Sequence, residues 1–190
     1  MTKEKSLVEI RWHGRGGQGA VTSAELLAQA AIAEGKYAQA FPSFGPERRG
    51  APIQAFNRID PKEPVRIRAD IINPDVVVVL DPSLLEKVNV TSGLKANGLV
   101  IINTVRAAED IKSKFAIKNP VATVDATKIA REKLGVPIVN TTMLGAVIRA
   151  TGIVDKKSVE GPLEKRFGRL GDRNIEAMST AYKEVRIEES

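Results

Sequence analysis

A glycine-rich stretch near the start of the chain is the clearest candidate for chemistry. Residues 14–19 read Gly-Arg-Gly-Gly-Gln-Gly; an alternating segment that predicts a strand (7–12) precedes them, and an Ala- and Leu-rich segment that predicts a helix (20–34) follows. Glycines let backbone amides approach a phosphate, and the start of the helix adds unpaired N–H groups. The context predicts an anion-binding loop, with Arg15 as a charged donor. A purely structural tight turn is the alternative.

The same stretch satisfies the G-x-G-x-x-G pattern, which makes a free-standing dinucleotide-binding reductase a second hypothesis. A dinucleotide site also needs an acidic residue about 20 positions later, at the end of the second strand, to hold the ribose. The predicted second strand, residues 37–41, contains none. No Lys-Ser or Lys-Thr follows Gly19 either, so the Walker pattern is absent as well.

Two further segments carry groups that suit a phosphorylated ligand. Residues 42–52 contain three prolines, and within them Arg48-Arg49-Gly50 is expected to lie at the same edge of the sheet as the glycine loop. Those arginines would neutralise phosphates, or they would pair with Glu47 and Asp60 at the surface. In residues 139–145, Asn140 and Thr141 would either contact the ligand or cap the following helix.

Composition removes several kinds of site. The 190 residues include no cysteine and a single histidine, His13. Disulfides, thiolate nucleophiles, thiolate zinc sites and cysteine-held iron–sulfur clusters are therefore excluded from this chain. No carboxylate or nucleophile adjoins His13 in sequence, so a structural role is favoured over a catalytic one. We predict no catalytic residue and no metal site.

The charge is modestly basic: 29 Lys plus Arg and 23 Asp plus Glu give +6. Residues 1–68 hold 11 basic and 7 acidic side chains, a net +4. A nucleic-acid-binding module would need stacking aromatics among its basic residues, and aromatics are only 4% of the chain. The longest apolar run, residues 76–80, is far too short to span a bilayer. We expect no nucleic-acid or membrane partner and a cytoplasmic location.

The elements predict an α/β fold. Segments 76–80, 99–103 and 122–125 are short β-branched or apolar strands, each followed by a predicted helical segment. Asp81, with Pro82 after it, is predicted to be the N-cap of the helical segment that follows residues 76–80. Residues 53–59 and 65–68 flank a proline turn and predict an antiparallel hairpin. The expected architecture is a three-layer α/β/α sandwich, with a mostly parallel sheet and an antiparallel hairpin edge, in a single domain over residues 1–190.

Together these motifs resemble a known family. The glycine loop, the segment Pro-Ser-Phe-Gly-Pro-Glu-Arg-Arg-Gly at 42–50 and Asn-Thr-Thr-Met-Leu-Gly-Ala at 140–146 resemble the gamma subunit of 2-oxoacid:ferredoxin oxidoreductases, of the pyruvate or 2-ketoisovalerate type. The similarity covers nearly the whole chain. Phe44 stands where many relatives carry Tyr, and Ala51 where many carry Gly; these differences bear on the subfamily.

The resemblance implies a complex that oxidatively decarboxylates a 2-oxoacid, reduces ferredoxin and forms an acyl-coenzyme A. Thiamine diphosphate, Mg and iron–sulfur clusters would then reside on partner alpha, beta and delta subunits, and coenzyme A would bind to this chain. Interaction-only scaffolding is a further alternative. The residues expected to bind coenzyme A are Gly14, Arg15, Gly16, Gly17, Gln18, Gly19, Arg48, Arg49, Gly50, Asn140 and Thr141.

Overall fold

A computed structural model of the protein describes residues 7–43 and 50–188. Its strands are β1 Val8–Arg15, β2 Tyr37–Pro42, β3 Pro52–Asp60, β4 Val76–Val79, β5 Leu99–Asn103, β6 Val121–Val124 and β7 Arg186–Ile187. Its α-helices are α1 Ala20–Ala33, α2 Ala108–Phe115, α3 Ala126–Leu134, α4 Asn140–Thr151, α5 Glu160–Phe167 and α6 Gly171–Glu184. Short 3₁₀ helices occupy Pro82–Glu86, Lys156–Val159 and Gly168–Leu170.

All of these strands join in one sheet, in the order β2-β3-β1-β4-β5-β6-β7. Neighbours β1, β4, β5 and β6 are parallel, whereas β3 is antiparallel to both β1 and β2, and β7 is antiparallel to β6. Strand β2 therefore points the same way as β1. The predicted α/β fold with a mostly parallel sheet is confirmed, and the antiparallel edge is formed by β2 and β3.

One face of the sheet, the helical face, carries the larger hydrophobic core. Ile10 and Trp12 of β1 alternate toward it, and α1, α3, α4 and α6 cover it with apolar side chains. A buried polar link lies within this core: Trp12 Nε1 donates to Asn57 Oδ1 at 2.8 Å, and Asn57 Nδ2 donates to the carbonyl of Ala24 in α1 at 2.8 Å. The link joins α1 to β1 and β3, so the helix is held where the glycine loop ends.

The opposite face, the mixed face, is covered in two ways. Over β4 and β5, apolar residues of α2 and of the 3₁₀ helix Pro82–Glu86 pack on Val77 and Val79. Over β1 and β3 there is no helix; residues 61–74, which we call the covering segment, have neither helical nor strand structure. Arg58 Nη1 holds this segment by donating to the carbonyls of Ile67 at 3.0 Å and Ala69 at 2.9 Å.

The covering segment corrects one prediction. Residues 65–68 were expected to form the second strand of a hairpin with 53–59, but they form no strand. Strand β3 pairs with β2 instead, with Tyr37 opposite Asp60 and Phe41 opposite Phe56. The physical reason is that Arg58 and Gln39 satisfy the carbonyls of this segment with their side chains, Gln39 Nε2 reaching Val65 O at 2.6 Å. The segment lies across the face and does not extend the edge.

Candidate functional site at the carboxyl edge of the sheet

The glycine loop follows β1, and the connections after β1 and its neighbour β4 run to opposite sides of the sheet. From β1 the chain passes through α1 to β2, on one side of β1, and from β4 it continues to β5 on the other side. Parallel neighbours that diverge in this way leave a crevice outside their carboxyl ends, and ligands of open α/β sheets bind in such crevices. The loop after β1 and the residues after β4 face each other across it.

Hydrogen bonds within the glycine loop fix its shape. The amide of Arg15 donates to Gln18 Oε1 at 2.7 Å, and the amide of Gln18 donates back to the carbonyl of Arg15 at 2.9 Å. Gly17 (φ 92°) and Gly19 (φ 81°) adopt the left-handed conformation that favours glycine. The loop therefore closes on itself around Gln18 and presents the exposed Gly17 to the open side.

Helix α1 begins directly behind the loop, and its N-cap, Gly19, has no side chain that could accept a hydrogen bond from the first amides of the helix. Asn140, the first residue of α4, lies against the same point, since a Cβ on Gly19 would overlap its side chain. Ser23 Oγ donates to the carbonyl of Asn140 at 3.1 Å. Two helix N-termini, each with partial positive charge, thus meet at the loop.

The two predicted residues of α4 point in different directions. Asn140 touches the glycine loop and also accepts a hydrogen bond from the amide of Thr141 at 2.8 Å, so it satisfies one first-turn amide as well. Thr141 is fully buried, and its hydroxyl donates to Asn174 Oδ1 of α6 at 2.7 Å. The structure brings Asn140, but not the Thr141 side chain, to the loop.

The segment after β2 also reaches the loop. The amide of Gly50 donates to the carbonyl of Gly16 at 3.2 Å, and the amide of Gly16 donates to the carbonyl of Ala51 at 3.0 Å. Gly50 is therefore placed beside the glycine loop. Arg48 and Arg49 lie outside the described residues.

A carboxylate that the sequence interpretation treated only as a helix cap occupies the far wall of the crevice. Asp81 caps the 3₁₀ helix, as predicted, by accepting from the amide of Ser83 at 2.9 Å. Its Oδ2 atom also accepts from Arg15 Nε at 2.9 Å and from Gln18 Nε2 at 3.0 Å. The Arg15 guanidinium donates further to Ser83 Oγ at 2.8 Å and to the carbonyl of Gly50 at 3.0 Å.

This network keeps Asp81 ionised. Partial burial acts to raise the pKa of its carboxyl, but hydrogen bonds from Ser83, Gln18 and Arg15 together outweigh burial and lower that pKa below its usual value. Nothing near Asp81 in sequence announces these contacts, because Arg15 is 66 positions away. The only local signal was the Asp-Pro-Ser capping pattern.

His13 lies within β1, two residues before the end of the strand. The residue is 3% exposed, and its Nε2 accepts from Arg11 Nε at 3.1 Å on the mixed face. Burial, and then the charge of Arg11, lower its pKa to about 3. The structure thus places a neutral imidazole in the role of hydrogen-bond acceptor, in line with the structural role that the sequence favoured.

No helix within residues 7–43 and 50–188 combines the length and the apolar character needed to cross a bilayer. No group of three or more His, Cys, Asp or Glu side chains in those ranges is arranged to hold a metal ion.

Comparison with known proteins gives a consistent family. A family model described as pyruvate ferredoxin/flavodoxin oxidoreductase matches residues 9–184. The common gamma subunit of the pyruvate/ketoisovalerate oxidoreductases of Pyrococcus abyssi is 57% identical over 183 residues, which is 95% of this chain and 98% of that protein.

Solved structures agree. The crystal structure of pyruvate oxidoreductase subunit PORC from Thermotoga maritima matches with a TM-score of 0.87 and 43% identity, over 97% of this chain and 100% of that one. The 2-oxoglutarate:ferredoxin oxidoreductase of Magnetococcus marinus, solved with 2-oxoglutarate, coenzyme A and succinyl-CoA bound, shares the fold. That match has a TM-score of 0.72 and 18% identity, over 95% of this chain and 30% of that one. The chain therefore belongs to the pyruvate ferredoxin/flavodoxin oxidoreductase family, in which its close relatives are gamma subunits.

Proposed function

We propose that this chain binds coenzyme A and positions it for acyl transfer within a pyruvate or 2-ketoisovalerate:ferredoxin oxidoreductase complex. The observation that carries the proposal is the glycine loop in front of the uncapped N-terminus of α1, at the crevice between β1 and β4. First-turn amides and a glycine backbone are the groups that proteins use to bind a pyrophosphate, and coenzyme A contains one. The expected contacts are from Gly14, Gly16, Gly17, Gln18, Gly19 and Asn140.

Positioning is the task left to this chain. Bound coenzyme A would supply the thiol that accepts the acyl group. With no cysteine in its sequence, the chain has no thiolate to hold an iron–sulfur cluster. We therefore place thiamine diphosphate, Mg and the clusters on alpha, beta and delta subunits, with ferredoxin as the electron acceptor of a heterotetramer. A cytoplasmic location stays a prediction from the sequence. The rate gain from this chain would come from holding two reactants together.

The topology argues against the dinucleotide alternative. In dinucleotide-binding folds the strand that follows the first helix lies beside the first strand and ends in the acid that holds the ribose. Here β3 lies between β1 and β2, and β2 ends at Phe41-Pro42. A saturable titration with NAD(H) or NADP(H) would favour that alternative and count against our proposal.

A direct test is calorimetric titration of coenzyme A into the assembled complex, comparing Gly17→Ala with Gly135→Ala. Both glycines have positive φ (92° and 77°) and open space around the missing Cβ, so each substitution carries similar backbone strain of about 1 kcal/mol. Only Gly17 lies in the loop. We expect the dissociation constant to rise at least about tenfold for Gly17→Ala and to stay unchanged for Gly135→Ala. Equal effects, or no binding by the wild type, would contradict the proposal.

The arginine pair is tested separately, because the sequence alone assigns it. Arg49→Ala should weaken coenzyme A binding in the same titration, through loss of a phosphate contact. Arg48→Ala, tested in parallel, measures the contribution of the neighbouring arginine. Unchanged affinity in Arg49→Ala would remove that residue from the site, and full activity of the isolated chain would contradict the subunit role.

A further inference from the structure

We propose that Asp81 is a positioning residue, which holds the glycine loop in its ligand-binding shape from the opposite wall of the crevice. The inference rests on the proposed function, because the loop it holds is the proposed coenzyme A site. The sequence pattern assigns Asp81 only the capping of the 3₁₀ helix that follows it.

The contacts form a chain from Asp81 to the backbone of the loop. Asp81 Oδ2 accepts from Gln18 Nε2 at 3.0 Å, and the other end of the same amide, Gln18 Oε1, accepts from the amide of Arg15 at 2.7 Å. The Gln18 side chain therefore bridges the carboxylate and the first turn of the loop. Without the carboxylate this amide loses the contact that orients it, and the bond that closes the loop loses its support.

Asp81 controls a second segment through Arg15. Its Oδ2 atom fixes Arg15 Nε at 2.9 Å, and the same guanidinium reaches the carbonyl of Gly50 at 3.0 Å. Ser83 strengthens this arrangement, because its hydroxyl donates to Asp81 Oδ1 at 2.6 Å and accepts from Arg15 Nη2 at 2.8 Å. One carboxylate thus links three segments at the crevice: the glycine loop, the chain at Gly50 and the turn after β4.

Burial makes these contacts effective. The Asp81 side chain is 17% exposed and that of Arg15 is 27% exposed, so water competes only partly for the pair. Charge-assisted hydrogen bonds in such a setting are stronger than neutral ones. The Arg15 side chain is accordingly directed to Asp81, Ser83 and Gly50, and we assign it to the architecture of the crevice.

Strand β4 offers a matched control at its other end. Asp75 precedes β4 as Asp81 follows it, and it also accepts from a backbone amide (Glu9, 2.9 Å) and from a cation (Lys95 Nζ, 2.9 Å). Its side chain is 31% exposed. Asp75→Asn therefore removes a charge from a similar structural carboxylate, at the edge of the sheet away from the crevice.

The experiment compares Asp81→Asn with Asp75→Asn in the assembled complex, by coenzyme A titration and by steady-state kinetics. For Asp81→Asn we expect the dissociation constant and the KM for coenzyme A to rise roughly tenfold or more. The KM for the 2-oxoacid and kcat at saturating coenzyme A should stay unchanged. Asp75→Asn should leave all four quantities as in the wild type, although it lowers thermal stability.

Each outcome decides the proposal. Similar coenzyme A affinity in both variants, or a fall in kcat with KM unchanged, would overturn it. If Asp81→Asn fails to assemble, Ser83→Ala decides, because it removes only the supporting hydroxyl; a rise of about threefold in KM for coenzyme A supports the role and no change overturns it. A wild-type complex without saturable coenzyme A binding would refute the proposed function itself, which is a different result from a wild type that binds and an Asp81→Asn variant that binds equally well.

Discussion

The helical face and the mixed face of the sheet are covered by different chemistry. On the helical face, apolar side chains of α1, α3, α4 and α6 form one core with Ile10 and Trp12, and burial of apolar area supplies the stability. On the mixed face over β1 and β3, two buried arginines, Arg11 and Arg58, lie beside a small apolar cluster of Phe41, Phe56 and Ile71. The arginines hold the covering segment by hydrogen bonds to its backbone.

Backbone chemistry explains the difference. A helix satisfies its own carbonyls, whereas an irregular segment leaves them without partners when it is buried. Arg11, 6% exposed, donates from Nη1 to the carbonyls of Ile71 and Ile72 and from Nη2 to those of Val90 (2.9 Å) and Ser92 (2.6 Å). A guanidinium has five donors, so one side chain can serve several carbonyls. The irregular segment is therefore held by buried guanidinium donors in addition to the apolar contacts of Ile71.

The largest expected effect is loss of Arg11. Arg11→Met keeps most of the side-chain volume but leaves buried carbonyls from two irregular segments unsatisfied, and each such group costs 1–3 kcal/mol. We expect the free energy of unfolding to fall by about 3–5 kcal/mol, measured by urea denaturation. The exposed Arg166→Met should change it by less than about 0.5 kcal/mol. If Arg11→Met lowered the free energy of unfolding no more than Arg166→Met does, the stability of the mixed face would not depend on Arg11.

On the helical face, Leu27→Ala removes a fully buried side chain of α1. Cavity formation and lost apolar burial should lower the free energy of unfolding by about 3 kcal/mol. The control is Ile32→Ala, on the same helix but 56% exposed, which should cost well under about 1 kcal/mol. If Leu27→Ala cost no more than Ile32→Ala, the contrast between the two faces would fail.

Acid should weaken the mixed face through His13. Its pKa is lowered to about 3 in the folded protein, by burial first and by Arg11 second, whereas an unfolded histidine titrates near 6.5. As the pH falls below about 6.5 the unfolded chain takes up the proton first, so this contribution is present above that pH and is lost toward pH 3. The loss between pH 7 and pH 5 is about 2 kcal/mol at most.

Urea denaturation at both pH values, for the wild type and His13→Gln, isolates this effect. Glutamine offers an acceptor to Arg11 but does not titrate, so the variant should lose less stability between pH 7 and pH 5. Equal losses would mean that His13 does not couple the fold to pH.

The smallest predicted effect concerns Arg58, which joins Glu9 Oε1 (2.9 Å) to the carbonyls of Ile67 and Ala69. Lysine keeps the charge but cannot span both sets of acceptors as a planar guanidinium does. Arg58→Lys should cost about 1–2 kcal/mol in thermal unfolding and speed proteolysis within residues 61–74. Arg66→Lys, at an exposed arginine of the same segment, is the control. Cleavage at the same rate in the two variants would contradict the role of Arg58 in holding the covering segment.

These two faces also show what the sequence could predict. Local apolar patterns located β1 to β6 and helix α1, and residues 99–103 were predicted with the observed bounds. The two-residue strand β7 was not predicted, because it is too short to show a pattern. The same reasoning wrongly predicted a strand at residues 65–68. The side chains that donate to the carbonyls of this segment, Gln39 and Arg58, belong to β2 and β3, so no local pattern reveals them. Side-chain hydrogen bonds from these two strands take the place of the backbone hydrogen bonds that a hairpin would have formed.

The candidate site divides in a similar way. Motif spacing indicated the loop at 14–19, Gly50 and Asn140, and the structure brings them together at one edge. Asp81 was interpreted only as a cap, because its partners Arg15 and Gln18 are distant in sequence and a lone Asp-Pro-Ser has a sufficient local explanation. Contacts across the crevice join residues that are distant in sequence, so they leave no periodic pattern in the sequence.

Gly145 shows that the motif around Asn140 serves two purposes. A Cβ at this position would overlap the carbonyl oxygen of Met178 in α6, so α4 and α6 touch backbone to backbone there. Asn140 stands at the loop end of that same helix, against Gly19. The absence of a side chain at Gly145 therefore lets α4 lie close to α6, and the position of α4 in turn fixes where Asn140 meets the glycine loop, five residues away.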